Sequence, residues 1–258
     1  AHPVGYWQDE FVMAQEAGFD CIEFIFDFND VRDNPLLKDG GINEIKAMID
    51  ETGVEVKTIC ADYFMEAPLH SEDLEVAKQS QKVLIKLLQN AVELDVEDIV
   101  IPCVDQSSLN GQAEADYFLK QLSPIVKIAE RLSVNLSLET DLAPKPFLEL
   151  LENFNSDRVT VNYDIGNSAA LGYDVKEELA TYGNFITDIH IKDRELMGES
   201  VVLGRGNADF ELFFNLIDKY NYSGPYIMQS YRDDEGVDIL KKQLEWVRPY
   251  IYPLEYKE

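Results

Sequence analysis

The chain has 258 residues, with 22 Lys and Arg against 49 Asp and Glu for a formal charge of −27, 46% hydrophobic residues, three cysteines and three histidines. That length and apolar content suit one large domain of α/β-barrel size, expected to run over 1–258. The charge argues against a nucleic-acid partner, which demands clustered Lys and Arg to neutralise phosphates; its plain meaning is a solvated acidic shell.

Cys21, Cys60 and Cys103 lie far apart, in or beside apolar runs, with no CxxC or Cys/His pair; they read as buried reduced thiols. No apolar stretch approaches the roughly 20 residues of a membrane span, and no basic n-region with an apolar h-region opens the chain. The expectation is a cytoplasmic protein with no membrane partner. Because the sequence starts at Ala1 rather than Met, a segment ahead of it is expected to be missing here.

In chain order, a helix over about Trp7–Ala17 comes first, stopped by Gly18, followed by a strand at Cys21–Phe26. Ile42, Ile45 and Ile49 mark a helix stopped by Gly53, before a strand at Val54–Cys60. Leu74, Ala77, Leu84, Leu87, Leu88 and Ala91 form one helical stripe ahead of the strand Asp98–Cys103. Phe118, Leu122, Ile125, Ile128 and Leu132 form another ahead of Val134–Glu139. Strands at Val159–Asp164 and Ile186–His190, a helix with Phe210, Phe213, Phe214 and Ile217, and a strand at Tyr226–Gln229 complete the series. Seven strands and eight helices, with a helix and no strand at the start, describe a (β/α)8 TIM barrel lacking its first strand in this sequence; an open doubly wound sheet is the alternative.

The last four strands end in Glu139, Asp164, His190 and Gln229. In a parallel barrel all carboxyl ends meet at one mouth, so these side chains converge there. Taken singly, a strand-end Asp or Glu serves as a helix N-cap as readily as a ligand, and a lone His is more often structural. Four on successive strands favour a metal or polar catalytic site. Two carboxylates, an imidazole and an amide oxygen suit Mn²⁺, Mg²⁺ or Co²⁺, and also Zn²⁺. Lys192, Arg194, Arg205 and Arg232 stand in or after the last two strands of an otherwise base-poor chain. They could anchor a phosphate or a polyol oxyanion, or pair with nearby acids. Gly204-Arg205-Gly206 is a Gly-rich turn where barrels often bind phosphate. Glu23 and His70 are further mouth candidates, whereas Trp7 and Phe64 read as core aromatics. No GxGxxG or GxxxxGK[ST] supports a nucleotide site.

Residues 163–174 (YDIGNSAALGYD), 189–194 (IHIKDR), 203–210 (LGRGNADF), the Glu139 strand and 17–24 (AGFDCIEF) together resemble the xylose isomerase-like TIM-barrel superfamily of sugar-phosphate isomerases and epimerases. The resemblance covers most of the chain. It implies Glu139, Asp164 and His190 as ligands of one divalent metal, with Glu139 also the proton-transfer base, and Glu23 facing the interior near the substrate; with it, His70, Asn167, Lys192, Arg194 and Arg232 are the candidates to line a small sugar or sugar phosphate. Gln229 stands where the family carries a second Glu; it can ligate or hydrogen-bond but cannot take a proton at neutral pH. With Glu139 alone, a same-face 1,2 proton shift is easier to support than epimerisation, unless Glu23 or Asp193 substitutes as the second base. The superfamily's abasic-site endonuclease has a histidine-rich trinuclear zinc cluster. Asn167 takes the place of one of those histidines, which together with the charge speaks against a DNA-repair role.

The expected function is therefore a divalent-metal-dependent isomerase or epimerase. The alternatives are a metal-dependent lyase or dehydratase on the same barrel, and a catalytically degenerate sugar-binding barrel marked by Gln229. The sequence is compatible with a homo-oligomer.

Overall fold

The structure, a computed structural model, describes residues 5–29, 31–231 and 236–252. The strands are β1 (Cys21–Ile25), β2 (Glu55–Cys60), β3 (Asp98–Cys103), β4 (Asn135–Thr140), β5 (Val159–Asp164), β6 (Ile186–Ile191), β7 (Asp193–Arg194), β8 (Ser200–Val201) and β9 (Tyr226–Met228). The α-helices are α1 (Gln8–Ala17), α2 (Gly41–Thr52), α3 (Tyr63–Glu66), α4 (Leu74–Glu93), α5 (Gln112–Leu132), α6 (Pro144–Phe154), α7 (Ile165–Leu171), α8 (Val175–Tyr182), α9 (Phe210–Ile217) and α10 (Val237–Ile251). Seven strands form one sheet in the order β1-β2-β3-β4-β5-β6-β9, and β7 and β8 form a separate antiparallel pair. The pairings β1–β2 through β4–β5 and β6–β9 are parallel. All seven strands read from the sequence are present. The described residues hold ten α-helical segments rather than eight, the surplus lying in short pieces such as the four-residue α3.

The chain divides into two compact units. The first comprises the described residues up to Leu142 together with Pro146–Val161; the second comprises Ala143–Lys145 and the described residues from Asn162 onward. The division falls inside β5 rather than in a linker.

In the first unit, every residue of β3 is buried, which is how a strand covered on both faces reads as a continuous apolar run. Of the α4 stripe, Ala77, Leu84, Leu87, Leu88 and Ala91 are buried, whereas Leu74 at its start is exposed. Leu84, Leu87 and Leu88 are fully enclosed, each contributing roughly 1.5–3 kcal/mol of burial. Gly18 and Gly53 end α1 and α2 in the left-handed conformation, at φ 84° and 72°. A register shift between Ile22 and Glu23 sets Glu23 opposite Thr58, whose hydroxyl donates to Glu23 Oε2 at 2.8 Å. Such irregularities re-aim side chains near functional sites. Trp7 and Phe64 are buried in this core.

In the second unit, acids cap the helices. Asp174 accepts from the backbone N–H groups of Lys176 and Glu177 at 2.8 and 3.0 Å, and Asp209 accepts from Leu212 N at 3.0 Å. Part of the acidic excess is thus helix-starting chemistry. Buried Glu178 ties α8 to β5 and α7, accepting from Tyr163 Oη and Tyr182 Oη, each at 2.7 Å, and from Ser168 Oγ. Burial raises its carboxyl above the usual range, outweighing these donors. A carboxyl whose folded pKa exceeds its unfolded one binds protons more readily in the native state, so its contribution to stability falls as pH rises from the unfolded value through the folded one. Glu178→Gln is expected to remove that component. Wild-type stability minus variant stability, from urea melts across mildly acidic to neutral pH, should decline as pH rises; a flat difference would refute it.

Candidate functional site

On β5 and β6 the side chains alternate between the two faces, so Asn162 goes with Asp164 and Asp188 with His190, and the Asn162–His190 approach at 2.7 Å puts both pairs on the same face of the sheet. All four are buried. Asp164 ends β5 and caps α7, its Oδ1 accepting from Asn167 N at 2.8 Å. Its Oδ2 faces the Lys192 ammonium at 3.4 Å. A ligand oxygen of Asp164 and a ring nitrogen of His190 lie within 4.8 Å of each other. The strand-end Asp is thus both a cap and a presented carboxylate.

Lys192 Nζ also donates to Gln229 Oε1 at 3.0 Å. The lysine stem crosses the start of α7 at Gly166, where a Cβ would stand 2.8 Å from Lys192 Cγ. The oxygen of Gln229, expected as a neutral ligand, is thus turned to the chain's own cation.

His190 Nε2 lies 2.7 Å from Asn162 Nδ2. The same amide nitrogen donates to Asp188 Oδ2 at 3.3 Å, and that carboxylate oxygen is 4.0 Å from Nε2. Sequence reasoning missed Asn162 and Asp188. The signal was there, each being two residues before a strand-end candidate and so on its face.

Two other expectations change. Arg194 donates through Nε and Nη2 to Gly198 O at 3.1 and 2.8 Å, and through Nη1 to Asn167 Oδ1 at 2.9 Å. Those contacts tie the β7–β8 hairpin to α7. Asp193 is fully buried, and its carboxylate accepts from Gly204 N, Gly206 N and Ala208 N at 2.9, 2.8 and 3.1 Å. Asp193 is therefore not a substitute base, and two of the Gly-rich turn's N–H groups hold a carboxylate of the chain rather than a substrate phosphate. Gly206 is required there, since a Cβ would stand 2.2 Å from Asp193 Oδ1. Arg205 is exposed. Arg232 lies outside the described residues.

In the first unit, Glu139 lies near the end of β4 and is buried. The buried Cys60 thiol is pushed up chiefly by burial, then by the Glu23, Asp62 and Glu139 carboxylates. Asp62, another residue missed in sequence, is raised mainly by burial, opposed by its hydrogen bond with Cys60 Sγ at 3.2 Å. His70 stands edge-on to Phe118 at 5.8 Å, and burial lowers its imidazole, favouring the neutral ring. Cys103 is buried and reduced as expected, while Cys21 is only partly covered.

The profile of the xylose isomerase-like TIM barrel family matches residues 11–250. The chain belongs to this family. Its seven parallel strands are those of a TIM barrel of that kind. Among curated relatives, an L-ribulose-5-phosphate 3-epimerase, UlaE, of Escherichia coli O1:K1 is 27% identical over 256 residues, covering 94% of this chain and 89% of the relative. Two solved structures share the fold. D-psicose 3-epimerase with D-tagatose from Clostridium cellulolyticum H10 has a TM-score of 0.75 at 18% identity, covering 96% and 94% of the chains. A xylose isomerase-like TIM barrel protein from Mycobacterium smegmatis in complex with magnesium has a TM-score of 0.74 at 17% identity, covering 97% and 90%.

Proposed function

We propose that this protein is a divalent-metal-dependent epimerase of a small ketose or ketose phosphate. The observation that carries the reading is the buried Asp164–His190 pair, a carboxylate and an imidazole with ligand atoms within 4.8 Å at the ends of successive strands. This donor chemistry fits Mn²⁺, Mg²⁺, Co²⁺ or Zn²⁺. Asp164 and His190 would hold the ion. When bound, such an ion supplies Lewis-acid polarisation of a sugar carbonyl.

The chain's own groups do the rest. Glu139 removes the proton from the carbon beside the carbonyl. Lys192, fixed against Gly166 and Gln229, offers its ammonium to the oxygen on which negative charge develops. Epimerisation needs a proton returned to the opposite face, which Gln229 cannot supply. With Asp193 committed to the backbone, that duty falls to Glu23, oriented by Thr58. The epimerase names of the relatives support inversion over a same-face shift.

Lys192→Met is expected to lower kcat by about 10²-fold with a smaller change in KM, the scale of losing one oxyanion donor. A kcat within twofold of wild type would remove Lys192 from the reaction. The function is tested by incubating the metal-loaded protein with L-ribulose 5-phosphate and a panel of ketoses. A product of unchanged mass, inverted at the carbon beside the carbonyl, is expected. Loss of water or cleavage would assign a dehydratase or lyase instead. The Gln229–Lys192 contact favours one rival, a sugar-binding barrel without turnover. Thermal stabilisation by a sugar with no product would support that rival.

A further inference from the structure

Gln243 is buried on α10, a helix that supplies no group to the chemistry described above. Its amide meets two backbone groups of opposite kind: Oε1 accepts from Leu203 N at 3.1 Å, and Nε2 donates to Tyr231 O at 2.8 Å. A backbone N–H only donates and a carbonyl only accepts, so these partners fix which way the amide faces. An apolar side chain in its place would leave both groups unpaired.

The two contacts start two arms that meet at Lys192. Beyond β9, which ends at Met228, Gln229 N donates back to Ile227 O at 3.1 Å, and strand pairing no longer sets where the Gln229 side chain lies. Gln243 holds that segment at Tyr231, two residues past Gln229, whose Oε1 receives the Lys192 ammonium at 3.0 Å. On the other arm, Leu203 precedes Gly204, whose N–H donates at 2.9 Å to Asp193, the residue after Lys192. Trp246, on the next turn of α10, closes this arm, since a Cβ on Gly204 would stand 2.7 Å from its ring. All of these residues belong to the second unit.

We propose that Gln243 is a positioning residue for Lys192, steadying the ammonium through Tyr231 and Gln229 and the neighbouring backbone through Leu203, Gly204 and Asp193. Its consequence for turnover rests on the proposed function; its hold on Lys192 does not.

The test uses the full chain supplied with Mg²⁺, as wild type, Gln243→Met and Gln243→Ala. The alanine variant admits water to the two backbone groups and is the milder loss should the methionine variant fold poorly. With lysine labelled at ¹³Cε, and Lys192→Met identifying the signal, the two Cε protons of Lys192 should have distinct shifts in wild type, as in a side chain held in one arrangement. In both variants the two shifts should close toward one averaged value. On L-ribulose 5-phosphate each variant should lose about 10–100-fold in kcat with a smaller change in KM, the scale of a reacting group displaced from a distance. The same substitution made in Lys192→Met should cost less than about twofold, because the residue it acts through is gone. A single Cε proton shift already in wild type, or shifts as distinct in both variants as in wild type, would overturn the positioning role. An equal loss of kcat in the two backgrounds would overturn it as well, leaving Gln243 to pack α10 alone. Shifts that close up in the variants, with no turnover by wild type, would leave the hold on Lys192 standing and sink the proposed function.

Discussion

Asp164→Asn is expected to lower kcat/KM by at least about 10³-fold, or roughly 4 kcal/mol of transition-state stabilisation, while leaving the fold intact. The two halves of that expectation come from the two oxygens of one side chain. Oδ1 caps α7 through Asn167 N, and Asn is as good an N-cap as Asp, so stability should hold within about 1 kcal/mol. Oδ2 is the presented atom, beside the Lys192 ammonium and within reach of a shared ligand with His190. An amide there removes a full negative charge and weakens any cation site. Kinetics alongside a urea melt separate the halves. Activity within tenfold of wild type would mean that Asp164 is only a helix cap.

The second large effect concerns stability. Asp193→Asn should destabilise the protein by about 3–4 kcal/mol, because a neutral amide offers one acceptor oxygen where a carboxylate receives three backbone N–H groups, and its NH₂ confronts a donor. For a chain of this size that is a fall in the thermal midpoint of roughly 10 °C. The carboxylate is fully buried, so solvent does not compensate. Differential scanning calorimetry reads the shift. A fall below about 2 °C would show that the 204–208 turn stands without its anchor.

How much of this was legible beforehand follows from the physics of each element. The seven strands were readable because a strand covered on both faces is a dense apolar run, as in β3. Asp164 and His190 stood out because each interrupts such a run at its carboxyl end. Asn162 and Asp188 did not, since polar residues inside a strand look like noise until the period of two is applied back from the strand end. β7 and β8 have two residues each and carry no periodicity at all. The Gly-Arg-Gly turn suggested an anion site, and an anion is there, but it is the carboxylate of Asp193. The separation between Asp193 and the N–H groups it holds, 11 to 15 positions along the chain, has no local signature. Gln229 illustrates the same limit. Its substitution for Glu was plain, whereas its contact with Lys192 depends on how the stem crosses Gly166.

Metal-assisted removal of a proton beside a sugar carbonyl is read out by proton NMR of a ketose phosphate incubated with the protein in D₂O. With Mg²⁺ or Zn²⁺ supplied, the signal of the C–H next to the carbonyl should disappear as solvent deuterium enters. Chelation of the metal or Asp164→Asn should preserve that signal. Retention of the signal across the ketose panel with metal present, or loss of it at an undiminished rate under chelation, would contradict the account.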